Sequence, residues 1–407
     1  MTPDQAAKLD TDDPIAFARE RFQLPAGKIY LDGNSLGALP TMTPAALADV
    51  VNRQWGEDLI ASWNDHGWID WPMHVAARLA PIVGARPDEL VIADSTSVSL
   101  FKLLAAAVQA RPGRRTIVVQ QKDFPTDLYV AQGLASMLDL EVRAVGPAEI
   151  VEAINEDVAA VLISHVDYRS GAVHDMAAVN AAAHASGSLA IWDLSHSAGA
   201  IEIDLIAAGT RLAVGCGYKY LNGGPGAPAF MFVARDLRDE LRSPLQGWMG
   251  HADPFAFVDD YRPAPGIAKF LTGTPSILAL AALDAGLATF EGIPMTLLAA
   301  KSRQLSQMFI DTVEARCGDE VGLASPCDPA RRGSHVVFSH PEGYAVMQAL
   351  IARGVIGDFR APDLMRFGFA PLYNSFSDVF QAAEILAEVL STGEWDQPRF
   401  KARSKVT

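Results

Sequence analysis

The chain has 407 residues, enough for two or three domains on ordinary domain sizes. Half of them are hydrophobic and 20% are charged, which excludes a disordered chain and allows a large core with a cleft beside it. Lys and Arg number 33 against 48 Asp and Glu, and the resulting formal charge of −15 excludes a broad nucleic-acid or anionic-lipid surface while leaving room for one local basic pocket.

In chain order, residues 1–45 read as an N-terminal arm. Residues 1–19 are polar and acidic, without the apolar run of a secretion signal. Cys216, Cys317 and Cys327 show no CxxC spacing and are too few for a disulfide framework, so a cytoplasmic location is expected. Residues 46–275 form the expected large domain. Strands are predicted over 90–93, 115–120, 159–164, 189–193, 212–215 and 229–233. Helical spacing falls between several of them, over 99–110, 128–138 and 176–186. This alternation is the signature of an α/β fold with a mostly parallel central sheet flanked by helices. Ligands in such sheets sit beyond the carboxyl ends of the strands, so the residues just after each strand carry the functional expectation. From 276 to 407 a smaller α+β domain is expected. It has a long helical region over 276–314, a strand over 334–339, a helix over 344–353 and a strand over 364–369, and its tail from Trp395 is expected to be loosely held.

Five places after strands or turns carry chemistry. Asp94-Ser95-Thr96-Ser97 stands before an Ala/Leu helix, where hydroxyls and free N–H groups converge on an anion more readily than one cap requires. Phe124-Pro125-Thr126-Asp127 opens the next helix. It reads either as an aromatic–proline turn with an Asp cap or as a stacking residue beside a carboxylate. Asp193, at the end of a strand and three residues before His196, suits a carboxylate that holds a pyridine nitrogen protonated, although Asp193 or Ser195 could equally cap a helix. Lys219, between Tyr218 and Tyr220 and ahead of a glycine-rich turn, suits an imine-forming amine if burial depresses its pKa. Alone it could snorkel to solvent. An Asp and a downstream Lys, both at strand ends, tip the reading towards pyridoxal phosphate. Arg366, among apolar residues, suits a carboxylate clamp or a structural ion pair. His74, His165 and His174 form no metal-ligand spacing, and no metal is expected.

Taken together, YLDGNSLG from Tyr30 to Gly37, Phe124 to Asp127, Asp193 to His196, YKYLN from Tyr218 to Asn222, Gly247 to His251, and Arg366 followed by PLYNS from Pro371 to Ser375 resemble the kynureninase family. The motifs run in family order along nearly the whole chain. The resemblance implies fold type I of the pyridoxal-phosphate enzymes and hydrolytic Cβ–Cγ cleavage of L-kynurenine, or its 3-hydroxy form, to anthranilate or 3-hydroxyanthranilate and L-alanine. It implies homodimers with shared active sites. Lys219 would hold pyridoxal 5'-phosphate, Asp193 its ring nitrogen, and His196 and Phe124 its faces, with Asp127 and Ser164 close by. Thr96, Ser97 and Tyr218 would serve the phosphate side, and Tyr218 would also act as the acid–base group near the β-carbon. Trp248 and Thr274 would reach the phosphate of the neighbouring subunit. Arg366, with Ser35 and Asn34, would hold the substrate. Thr274, where some members carry Asn, and residues 63–71 depart from the family pattern near the expected substrate ring, leaving the preference between the two substrates open.

Overall fold

The computed structural model describes residues 1–403; the last four positions of the expected 276–407 domain lie outside them. Seven strands build the large sheet: β1 (Leu90–Ala93), β2 (Thr116–Gln120), β3 (Glu141–Val145), β4 (Val158–Ser164), β5 (Leu189–Asp193), β6 (Leu212–Gly215) and β7 (Ala229–Val233). Their order is β1-β7-β6-β5-β4-β2-β3. β6, β5, β4, β2 and β3 run parallel, while β7 is antiparallel to both of its neighbours. Every residue of β2, β4, β5, β6 and β7 is buried. That burial on both faces is why these strands read as unbroken apolar runs. The sequence reading missed β3. It is the edge strand, and Glu141 and Arg143 break its apolar pattern.

Two layers of side chains cover the sheet. One face packs against the helix Thr96–Gln109 through Leu100, Leu103 and Leu104. The other packs against the helix Trp71–Val83 through Val75, Leu79 and Val83. The region expected as one long helix over 276–314 is instead two, Ile277–Ala288 and Met295–Cys317, interrupted around Gly292 and Pro294. Gly292 adopts a left-handed φ of 74°, and Pro294 is the N-cap of the second helix, so the chain turns here. Leu280, Leu283 and Leu287 of the first helix join the large-sheet core, whereas Leu305, Phe309 and Val313 of the second join the smaller one.

The smaller sheet is antiparallel, in the order β8 (Gly322–Leu323), β9 (His335–Ser339), β11 (Leu364–Gly368) and β10 (Asp358–Arg360). Phe309 packs on Phe338, Phe367 and Phe369 beneath it, and a fully buried side chain of this size contributes about 1.5–3 kcal/mol. The tail is held more firmly than expected, since Phe400 is buried in this core.

The N-terminal segment straps both cores. Ala6 of the helix Pro3–Asp12 enters the small core, and Ile15, Ala18 and Phe22 enter the large one. Asp10 caps the helix Phe376–Ser391 by accepting from the Phe376 and Ser377 N–H groups at 2.6 and 3.1 Å. Ile29–Tyr30 then adds in parallel to Val355–Ile356. This brings the Tyr30–Gly37 motif against the turn after β6, where the Gly37 N–H donates to the Tyr218 carbonyl at 2.8 Å. A Cβ on Gly37 would lie 2.4 Å from the Lys219 carbonyl oxygen, so only glycine allows this approach. Among the described residues, no helix is long and apolar enough to cross a membrane.

Candidate active site

A cavity of about 270 Å³ opens beyond the carboxyl ends of β4, β5 and β6. The strands themselves aim its residues. Ser164 and Asp193 are register partners at the ends of β4 and β5, and the next residue, His165, donates its N–H to the Asp193 carbonyl at 2.9 Å. After β6, the chain turns so that the Asn222 N–H returns to the Lys219 carbonyl at 2.9 Å. Asn222 takes a left-handed φ of 58°, which asparagine tolerates better than most residues. The Lys219 side chain is thereby directed into the cavity and is only 8% exposed.

Burial lowers the Lys219 pKa, against the opposing pull of Cys216 and Asp193. Its Nζ lies 2.8 Å from His196 Nε2 and 5.7 Å from the Phe124 ring centroid. His196 is held well below its ordinary pKa by burial and then by Lys219, so it is a neutral partner. Asp193 accepts on Oδ1 from the Ser195 N–H at 2.8 Å and from the Ser195 hydroxyl at 2.5 Å. This is the capping geometry weighed from the sequence, yet it occupies one oxygen and leaves the other to the cavity. The snorkelling alternative for Lys219 does not describe the structure.

Two carboxylates, Asp193 and Asp127, act on this one lysine, and a third, Asp123, stands beside Asp193. Asp123 accepts from the Ser164 and Phe124 N–H groups at 2.9 and 2.7 Å, and burial lifts its pKa to about 6. Asp127 is pushed well above the carboxylate range by burial, then by Asp193 and Asp123. Both of its oxygens are buried without a hydrogen-bond partner. Asp193 is raised by burial as well. An orphaned carboxylate beside a half-satisfied one is a site that lacks a cation or a hydrogen-bond donor. The other end of the cavity has the opposite character. Ser95 caps the helix Thr96–Gln109 by accepting from Val98 N–H at 3.4 Å. The first N–H groups of the helix, on Thr96 and Ser97, have no intrahelical partner and lie in the cavity lining beside their hydroxyls. A flat cationic ring at Asp193 and Asp127, an anion at Thr96 and Ser97, and an aldehyde at Lys219 would satisfy each of these needs. The residues present therefore fit pyridoxal phosphate.

The other expected residues distribute as follows. Phe124, 40% exposed, stands at the mouth with its ring edge-on to Tyr168 at 5.5 Å. Tyr218 lines the cavity, but burial, Cys216 and Asp193 push its phenol up in pKa. The Lys219 Nζ stands 5.9 Å from its ring centroid, yet the phenol stays above its ordinary value. Arg366 does not line the cavity. It is 2% exposed and binds Asp358 side-on, with Nε to Oδ1 at 2.8 Å and Nη2 to Oδ2 at 2.5 Å. Nη1 donates to the Tyr168 carbonyl at 2.8 Å and Nη2 to the Ser35 hydroxyl at 3.1 Å. With its amide oriented to satisfy both sides, Asn34 accepts from Nε and Nη2 at 2.9 and 3.1 Å. Arg366 still acts on the site through its charge, which helps depress both Lys219 and His196. Trp248 and Thr274 lie elsewhere: Trp248 packs edge-on to Phe255 at 5.8 Å, and Thr274 borders a separate cavity with Asp94 and Thr272.

Sequence reasoning missed Asp123, Tyr168, Asp358 and His335. Asp358 faces Arg366 as its cross-strand partner between β10 and β11, and Arg360 joins the same carboxylate at 2.7 Å. The alternation Asp358-Phe359-Arg360 was the available signal, since residues two apart share a face. His335, fully buried at the start of β9, has both ring nitrogens unpartnered and lies 5.4 Å from the His196 ring.

Comparison with known proteins agrees with this geometry. Residues 298–386 match the family model described as the kynureninase C-terminal domain. Relatives named kynureninase, from Pseudomonas fluorescens and from Burkholderia mallei, are each 49% identical over the whole of both chains. Among solved structures, a cysteine desulfurase from Thermococcus onnurineus superposes with a TM-score of 0.78 at 19% identity, covering 92% of this chain and 98% of its own. The C-DES protein with glycine covalently linked to its pyridoxal-phosphate cofactor gives 0.77 at 16% identity, covering 90% and 98%. These two fix the fold and nothing finer, so the desulfurase chemistry does not transfer. With about half of all residues identical from end to end, the chain belongs to the kynureninase family.

Proposed function

We propose that this enzyme hydrolyses L-kynurenine to anthranilate and L-alanine with pyridoxal phosphate as its cofactor. The reading rests on one observation. A buried lysine of lowered pKa faces Asp193 and an orphaned Asp127, in a chain half identical to full-length kynureninases. When bound, the cofactor supplies an aldehyde that captures the substrate amine and a protonated pyridine that draws electrons from the α-carbon. The protein supplies the rest. Asp193, whose Oδ1 is engaged by Ser195, would use its other oxygen to keep a proton on the ring nitrogen. Phe124 covers one ring face and excludes water. Thr96 and Ser97 hold the phosphate with backbone N–H groups and hydroxyls.

With the cofactor bound, the Lys219 amine would take the α-proton on Nζ, a task its burial prepares it for. Arg366 would hold the substrate α-carboxylate by giving up its Tyr168 and Ser35 contacts to it, with Asp358 fixing the guanidinium from the side and Asn34 beside it. Water adds to the side-chain ketone, and the Cβ–Cγ bond breaks to release anthranilate. The Tyr218 hydroxyl would deliver a proton to Cβ and regain one from the hydrate as it collapses to the carboxyl of anthranilate, a role that calls for cationic neighbours to bring its raised pKa down.

We further propose a homodimer. Lys219 is the only cation among the described residues lining the cavity, so Trp248 and Thr274 of the partner subunit would complete the phosphate end. Phe255, Phe257 and Val258, all exposed beside Trp248, supply an apolar surface for that contact. Three unpaired cysteines suit a cytoplasmic setting. The deciding experiment incubates the protein, loaded with pyridoxal phosphate, with L-kynurenine and follows anthranilate fluorescence and alanine together. Equal amounts of the two are expected. Sulfide from cysteine, or a keto acid from kynurenine without anthranilate, overturns the reading.

A further inference from the structure

Lys102 lies in the second turn of the helix Thr96–Gln109 and is completely buried. Lysine almost never occupies such a position unless its charge is paired. All three of its donors are used: the ammonium binds the Asp94 carboxylate, the Phe270 carbonyl at 2.7 Å and the Thr272 hydroxyl. It is not among the cavity-lining residues, so it touches neither cofactor nor substrate.

Its partners are the point of interest. Asp94 links β1 to the Ser95 cap and takes a left-handed φ of 51°, which aspartate tolerates better than most residues. The Lys102 side chain runs back along the helix and holds it. The ion pair therefore lies at the residue immediately before the Ser95 cap that presents the Thr96 and Ser97 N–H groups. On its other side the same ammonium anchors Phe270 and Thr272, two residues before Thr274. The Trp248 turn rides on that segment. The Met249 N–H donates to the Thr272 carbonyl at 3.2 Å, and a Cβ on Gly247 would fall 2.2 Å from the same oxygen. One buried cation thus joins the loop that meets the phosphate in its own cavity to the segment carrying Trp248 and Thr274.

We propose that Lys102 is a positioning residue for the phosphate end of the cofactor site, acting through Asp94 and Thr272. The proposal rests on the cofactor reading above, and it separates phosphate recognition from the chemistry at Lys219. The test compares wild-type protein with Lys102→Met, full length and without added substrate, by titrating each with pyridoxal phosphate and with pyridoxal, which lacks the phosphate. Binding is read from the visible band each aldehyde forms with the protein. Loss of a charge-assisted contact network should weaken pyridoxal phosphate about tenfold or more, while pyridoxal changes by less than about twofold. An unchanged ratio of the two affinities, whether both fall together or neither does, overturns the proposal. Should Lys102→Met fail to fold, Asp94→Asn keeps the lysine, breaks the ion pair and is judged by the same ratio. Failure of the cofactor reading itself shows separately, as wild-type protein that forms no band with either aldehyde.

Discussion

Asp127 and Asp193 face the single ammonium of Lys219, with Asp123 beside Asp193, and burial makes the imbalance costly. A group whose folded pKa is raised prefers to be protonated in the native state. Folding is then favoured in acid, and that stability is lost as pH rises through the folded pKa. For Asp123 the window runs from the ordinary carboxylate value of 3.8 up to about 6. Across it, the cofactor-free protein should lose stability with rising pH by at most roughly 3 kcal/mol from this group. Asp123→Asn cannot titrate, so thermal unfolding measured between pH 4 and about 6.5 should show a shallower dependence than wild type. The absolute melting temperature can move either way, because Asn offers one acceptor to the two N–H donors that Asp123 serves. The slope is the informative quantity, and an identical slope in the variant would remove Asp123 from the account.

At the scale of elements, the antiparallel pair β10–β11 turns two short strands into a charge network. Register sets Asp358 opposite Arg366, and Asp32 lies close enough to Asp358 and the two arginines that burial and Asp358 raise its carboxyl to about 7. Arg366 sits in that network with a fixed side-on partner, so its planar fork is presented in one orientation. Lysine keeps the charge but loses the fork. Arg366→Lys should therefore raise KM for kynurenine by about ten- to a hundredfold, with a much smaller change in kcat. Steady-state kinetics showing equal losses in kcat and kcat/KM would instead place the arginine in the chemical step. How legible these elements were in the sequence depended on burial. β5 and β6 match their predicted bounds, 189–193 and 212–215, because apolar runs buried on both faces end sharply at Asp193 and Gly215. Those ends carry the site, and so Asp193 and Lys219 were visible. Asp358 was not, since its meaning comes from a strand partner reached through a separate turn. Lys102 was not, because a lysine in an Ala/Leu helix looks the same whether it reaches solvent or is completely enclosed.

At the scale of the whole molecule, the question is why Trp248, in a family motif, and Thr274, aligned to a family phosphate contact, lie away from the cavity of their own chain. A monomeric site would leave both without a task, and the phosphate end of the cavity would have only helix N–H groups and hydroxyls to meet a dianion. Shared sites, as proposed above, would give both residues a task and add an indole N–H and a further hydroxyl to the phosphate end, with each chain giving Lys219 to one cavity and Trp248 to the other. The arrangement has a quantitative signature. Lys219→Ala homodimers lack the covalent anchor in both sites and should be inactive, and Trp248→Ala homodimers should bind the cofactor weakly in both. In a mixed dimer, one site combines the two lesions and the other has neither, since its lysine and its tryptophan come from different, unaltered positions. Random reassembly of equal amounts gives one half mixed dimers with one intact site each, so about one quarter of wild-type activity should return. Had both residues served the same cavity from one chain, every site in the mixed dimer would carry a lesion and no recovery could occur. Activity measured after subunit exchange, at cofactor concentrations too low to rescue the Trp248→Ala homodimer, distinguishes the two arrangements.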